Sequence, residues 1–141
     1  MIEKETAPYC RDHNKTILAY SPMAQGLLTG KFGPEHSFEK GDHRAANRLL
    51  KPENYTRVQT ALAQLRPLAE SKGITLAQLA LAWIIAQPNT CAIAGARNSR
   101  QAVENAAAAN VVLYKEELEA LDRISRIVTD DLDDNPVLWK W

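Results

Sequence analysis

The residues best suited to chemistry sit where two short apolar runs break off. Cys91-Ala92-Ile93-Ala94 has the length of a strand buried on both faces, and Gly95-Ala96-Arg97-Asn98-Ser99-Arg100-Gln101 follows it directly. Gly95 ends the run. Asn98 or Ser99 can cap a helix, and Gln101 stands where a capping-box partner of Asn98 belongs. A strand that turns through glycine into a capped helix leaves backbone N–H groups and the positive end of the helix dipole at the turn. That is a place for an anion, and Arg97 and Arg100 add charge beside it. The same pattern equally describes a plain strand-to-helix connection with two solvated arginines. The other run, Thr16-Ile17-Leu18-Ala19-Tyr20, stops at Ser21-Pro22. It opens into Met23-Ala24-Gln25-Gly26-Leu27-Leu28-Thr29-Gly30-Lys31-Phe32, a loop dense in small residues.

Other reactive side chains are scattered. His36, Asp42, His43 and Arg44 lie in a polar connector over residues 33–51 to which no chemical role is assigned, and the two histidines read as solvated. Cys10 and Cys91 are far apart in unlike contexts and read as two buried small hydrophobes rather than a disulfide or a redox pair. There is no C-x-x-C and no histidine pair at i, i+3 or i, i+4, so no metal site is expected. Asp130, Asp131, Asp133 and Asp134 lack the glycine and closing glutamate of a calcium loop and predict a solvated turn.

The elements that must position these residues come from a chain of 141 residues, 45% apolar and 24% charged, with 17 basic and 17 acidic side chains. Zero net charge without a basic stripe argues against nucleic-acid and membrane-surface partners. The first residues lack an apolar signal core and no run reaches membrane length, so the expected compartment is the cytoplasm. Residues 2–13 read as a helix weakened by Pro8. Opening inside an amphipathic helix, the chain reads as one whose beginning has been removed. Tyr55, Val58, Leu62, Leu65 and Ala69 predict a helix over 52–72, kinked near 64–66 by Pro67 and stopped by Gly73. Thr75 and Gln78 form a capping box for an almost wholly apolar helix over 76–87. Further helices are predicted over 99–109 and along the face Leu118, Leu121, Ile124 and Val128, and Trp139 and Trp141 are expected to dock on the body. Short apolar strands each followed by helix are parallel α/β construction. Two of them cannot close a sheet, so part of a larger structure is expected.

Two stretches carry a resemblance. The segment from Ile17 through Tyr20-Ser21-Pro22 to Gly30-Lys31-Phe32 resembles the seventh strand and following loop of the aldo-keto reductases. Ile93-Ala94-Gly95-Ala96-Arg97-Asn98-Ser99-Arg100-Gln101-Ala102-Val103-Glu104-Asn105 resembles that family's eighth strand and cofactor-binding helix, and Gly73 to Trp83 between them is similar as well. The resemblance implies an α/β fold over residues 1–141, the C-terminal part of a (β/α)8 barrel, with two parallel strands and about five helices. It further implies NADP as cofactor, with NADPH and a small carbonyl compound as partners. Tyr20 would stack on the nicotinamide. Ser21, Met23, Gln25, Gly26 and Leu27 would line the pyrophosphate. Gly95, Ala96 and Arg97 would receive the 2′-phosphate, and Gln101, Glu104 and Asn105 would reach the ribose and adenine. The family's catalytic Tyr, Lys, Asp and His belong to earlier strands, so no catalytic residue is assigned and the chain alone is expected to be inactive. The other expectation is a non-catalytic module whose strand edges bind a complementing chain or copies of itself.

Overall fold

Three helices bury their apolar faces in one another, and a pair of strands lies against the middle one. The computed structural model describes residues 2–132, without the side chain of His43. The expectations for Asp133, Asp134, Trp139, Trp141 and the His43 side chain therefore lie outside the described residues. A wide helical turn, Ile2–Thr6, runs into α1, Ala7–Asp12. Pro8 stands in the first turn of α1, where the wide turn passes into the α-helix. β1 is Ile17–Tyr20. α2, Pro52–Ser71, continues on both sides of Pro67, and Gly73 follows it at φ +64°. α3, Leu76–Ile85, opens on the expected capping box: the Gln78 N–H donates to Thr75 Oγ1 over 3.1 Å and the Thr75 N–H to Gln78 Oε1 over 3.0 Å. Next come β2, Thr90–Ile93, α4, Ser99–Ala107, and α5, Lys115–Thr129.

The core is one cluster in which Val58, Leu62 and Ala69 of α2 meet Leu76 and Leu79 of α3 and Leu121 of α5. Their spacing of three and four residues is the reason these segments are helices with one buried stripe each. Phe32, just before the connector, and Leu49 within it join the same cluster, so the connector is not a bare loop. It winds into two 3₁₀ turns, His43–Ala46 and Arg48–Leu50, capped by the side chains of Asp42 and Asn47. Tyr55 Oη donates to the Gly33 carbonyl over 2.7 Å and Gln59 Nε2 to the Phe32 carbonyl over 3.1 Å, fastening the connector to α2. Asp131 accepts from Arg57 Nε over 3.0 Å, so this aspartate is ion-paired rather than simply solvated.

β1 and β2 pair in parallel, with Ile17 opposite Thr90 and Tyr20 opposite Ile93. Neither is buried on both faces. Ile17, Ala19, Thr90 and Ala92 are half-buried, whereas Leu18, Tyr20, Cys91 and Ile93 are exposed on the other face. Cys91 is thus exposed and Cys10 half-buried, against the expectation of two buried thiols. The apolar composition of both strands records a face that needs cover, and helices stand on only one side of this two-stranded sheet. No single helix among the described residues is long and apolar enough to cross a membrane.

Candidate functional site

Because the strands run parallel and in register, the loops leaving Tyr20 and Ile93 emerge side by side at one end of the sheet. In open and closed α/β sheets this carboxyl end is where ligands bind. The loop after β1 is tightly wound. Ser21, Ala24 and Gln25 have φ of +51°, +46° and +56°, and Gly26 has φ +96°. Three non-glycine residues in the left-handed region are a local cost, tolerated where the surroundings fix them. The Gly26 N–H donates to the Met23 carbonyl over 2.9 Å, and Thr29 Oγ1 to the Gly26 carbonyl over 2.7 Å. Gly26 therefore shapes the turn with its own amide. A Cβ there would stand 3.3 Å from Lys31 Cε, so its lack of a side chain also lets Lys31 lie against the loop. Tyr20 presents a ring 59% exposed, whereas Leu27, 2% exposed, is committed to the core and offers a ligand only its backbone.

The loop after β2 is braced by α4. Asn98 Oδ1 accepts from the Gln101 N–H over 2.9 Å, as a cap should. The side chain of Gln101 does not return to the Asn98 amide; its Oε1 accepts from the Arg97 N–H over 2.9 Å. Asn105 Nδ2 donates to the Gly95 carbonyl over 3.1 Å. Two of the three α4 residues expected to reach a nucleotide thus hold the Gly95–Arg97 backbone in place. The third, Glu104, accepts from Arg100 Nε over 2.8 Å, which neutralises that arginine, and its carbonyl accepts from Gln78 Nε2 over 3.0 Å.

Two cations, Lys31 and Arg44, share the Phe32 ring at the end of the loop after β1, and the charge of Arg97 is felt at Lys31. Burial pushes the Lys31 ammonium below the ordinary lysine pKa, and the charges of Arg97 and then Arg44 push it further the same way. Lys31 Nζ stands 4.7 Å from the centre of the Phe32 ring, and the Arg44 guanidinium lies 4.7 Å from that of Phe38. Asp42 grips Arg44 with Oδ1 and Oδ2 on Nε at 2.9 and 3.0 Å, and these hydrogen bonds raise its pKa against the opposing effect of burial. His36, read as solvated, rests its exposed ring on Phe32 at 4.5 Å. Lys31 and Arg44 were not among the residues expected at the site. Lys31 ends the glycine-rich stretch and was within reach of a charge argument, whereas Arg44 sits in a connector with no periodicity to place it. Lys31 and Arg44 bring like charges to one side of Phe32, and Asp42 pairs with Arg44.

The sequence profile of the Aldo/keto reductase family matches residues 1–126. The chain belongs to the aldo/keto reductase family. It is 40% identical over 123 residues to an uncharacterized oxidoreductase of Mycobacterium tuberculosis, covering 87% of this chain and 38% of that protein. To the NADH-specific methylglyoxal reductase of Escherichia coli it is 37% identical over 130 residues, covering 86% of this chain and 39% of that one. The solved structure of a glycerol dehydrogenase from Gluconobacter oxydans superposes with a TM-score of 0.85 at 29% identity, over 99% of this chain and 42% of that one. The chain spans less than half the length of these relatives, and its fold is the corresponding part of their (β/α)8 barrel, with the sheet not closed.

Proposed function

We propose that this chain is the NADP(H)-holding part of a carbonyl reductase. The observation that supports the reading is the approach of Lys31 and Arg44 to one ring, Phe32, at 4.7 and 5.6 Å beside the loop after β1, with the loop after β2 and its Arg97 leaving the sheet at the same end. The family uses a nicotinamide cofactor, and the NADP form carries an extra phosphate for which lysine and arginine cations are the fitting donor set. When bound, NADPH supplies the hydride that reduces a carbonyl carbon. The chain's own residues bind and orient. The exposed ring of Tyr20 is a shelf on which the nicotinamide rests with one face turned to substrate. Lys31 and Arg44 take the phosphates along the loop after β1, and Arg97 takes the 2′-phosphate. Since the Arg97 N–H is already given to Gln101, this recognition runs through the guanidinium and not through that amide. Gln101 and Asn105 act by keeping the Gly95–Arg97 backbone rigid beneath it.

By the resemblance, the group that gives the proton to the carbonyl oxygen belongs to earlier strands. Tyr9 and Tyr55 sit on helices and Tyr114 at the entry to α5, and Tyr55 Oη is spent on the Gly33 carbonyl. These 141 residues by themselves are proposed to turn over no aldehyde or ketone. Ligand-detected NMR of the protein with NADP⁺ and NAD⁺, together with an NADPH oxidation assay on a simple aldehyde, tests both statements. Saturation transfer to NADP⁺ stronger than to NAD⁺, with no oxidation, is expected. Absence of NADP⁺ binding at millimolar concentration removes the cofactor reading, and a protein-dependent rate removes the statement of inactivity.

A second reading is favoured by the sheet itself: Leu18, Tyr20 and Ile93 are 64%, 59% and 54% exposed on one apolar face. On that reading the chain assembles through its sheet with a complementing chain or with copies of itself.

A further inference from the structure

Asn47 is a polar residue in an apolar place, 1% exposed among the buried leucines of the connector and the core. A buried amide costs stability unless its donors and acceptors are met. Its Oδ1 accepts from the Leu49 N–H over 2.9 Å, capping the Arg48–Leu50 turn. Its backbone N–H donates to the Arg44 carbonyl over 2.9 Å, closing the preceding turn. These two bonds organise the connector, and a serine at this position supplies the same cap oxygen. The third bond is different in kind. Asn47 Nδ2 donates over 3.0 Å to Oε1 of Gln25, 22 residues earlier and in the loop after β1. Gln25 holds φ +56° directly before Gly26 at +96°, so the bond ends on the sharpest bend of that loop.

We infer that Asn47 is a positioning residue for the nucleotide site, joining the turn that carries Arg44 to the bend of the loop that carries Lys31. The inference rests on the cofactor reading above and goes beyond it, because Asn47 is buried and touches no ligand. Arg44 is three residues before Asn47 in the same pair of 3₁₀ turns, and its guanidinium is held by Asp42 over the Phe32 and Phe38 rings. Without the tie to Gln25 the two turns keep their caps, and the connector keeps Tyr55 and Gln59 at its start. What is lost is the register between Arg44 and the phosphate loop. The cost falls on binding, where a preformed cluster spares the ordering of its members.

The experiment is a double-mutant cycle on the full chain, with NADP⁺ affinity and thermal unfolding measured on every member. Asn47→Ser keeps the cap oxygen and removes the reach to Gln25, and Gln25→Ala removes the acceptor from the other side. Each single substitution is expected to weaken NADP⁺ binding about fivefold, with the double variant no weaker than either single one. Asn47→Ser that lowers the unfolding temperature but leaves NADP⁺ affinity at the wild-type value makes Asn47 structural only and overturns the inference. So do two effects that simply multiply in the double variant. If Asn47→Ser does not fold, Gln25→Ala at unchanged NADP⁺ affinity overturns it alone. Wild-type protein that binds no NADP⁺ removes the cofactor reading and this inference with it, whereas wild-type binding with an unaffected Asn47→Ser removes only the inference.

Discussion

Lys31 carries the chemical signature of the site. Burial lowers its pKa first, and the neighbouring Arg97 and Arg44 charges add to that. A folded-state value below the unfolded one means the charged lysine costs stability at neutral pH. That cost is relieved as pH rises through the folded value towards the ordinary one, so the empty protein gains stability across that alkaline window. A bound phosphate acts in the opposite sense, because it favours the charged ammonium. NADP⁺ affinity should therefore fall as pH rises through the alkaline range, and Lys31→Met should bind about tenfold more weakly at neutral pH with that alkaline fall removed. Isothermal titration at several pH values checks this; a Lys31→Met profile parallel to the wild type would place the phosphate elsewhere. On the proposed reading, Arg97 carries the choice between cofactors. Arg97→Ala should cost ~1.5–3 kcal/mol of NADP⁺ binding, roughly ten- to a hundredfold, and leave NAD⁺ untouched. An unchanged NADP⁺ to NAD⁺ ratio defeats that assignment.

How much of this was legible differs residue by residue. Arg97 could be read because it follows a strand and a glycine and precedes a capping asparagine, all within a few positions. The nucleotide roles of Gln101 and Asn105 came from the family resemblance and not from the local pattern, and in the structure their side chains bond the Arg97 N–H and the Gly95 carbonyl. A polar residue on the first turns of a helix can serve either end, and spacing alone does not say which. Asn47 and Arg44 were not legible, because the Gln25 that Asn47 bonds and the Phe32 ring that Arg44 shares with Lys31 lie in another loop, and the connector shows no period.

Elements were legible where one side chain or one stripe decides them. Thr75 and Gln78 announce α3, and Leu118, Leu121, Ile124 and Val128 announce the packed face of α5. Burial of the strands was not legible, since an apolar run states what a strand needs and not what it has. Nor was the lock between α2 and α5. There Lys72 Nζ, beyond the end of α2, meets Glu117 Oε1 at 2.8 Å and donates to the Val112 carbonyl at 2.9 Å, while Glu117 Oε2 accepts from the Tyr114 N–H over 2.7 Å. Burial works to raise the Glu117 pKa, but the Lys72 hydrogen bond, the Tyr114 amide and the Lys72 charge together hold it below the ordinary glutamate value. A depressed carboxylate contributes stability that is complete above its unfolded pKa and is lost as pH falls through the folded one. Glu117→Gln should thus cost about 1 kcal/mol at pH 7, and the gap to wild type should close below the ordinary glutamate range. Urea unfolding at neutral and acid pH checks it, and a gap that stays constant with pH would show that the cost comes from packing and not from charge.

At the scale of the whole molecule the open sheet decides how the chain behaves. β1 and β2 satisfy one edge of each other, and neither has another strand beside it among the described residues. Parallel strands are found with both faces covered, and an exposed edge beside an apolar face is a template for pairing. Here Leu18 and Ile93 crown such a face, with Tyr20 and Cys91 between them. The same surface matters to the cofactor reading, because Tyr20 can hold a nicotinamide only where something forms the opposite wall and excludes water. Covering this face and completing the site are then one event. The wild-type chain should sediment as an associated species at micromolar concentration, and Leu18→Glu, which sets a charge on the face, should shift it to monomer without changing its helix content. Leu18 is 64% exposed and outside the helical core cluster, so the substitution tests the surface and leaves the packing of α2, α3 and α5 alone. A wild-type chain that is monomeric at every concentration, with cooperative unfolding, would remove self-association. The remaining part of that reading is cover by a complementing chain, and adding such a chain should strengthen NADP⁺ binding in the wild type and not in Leu18→Glu.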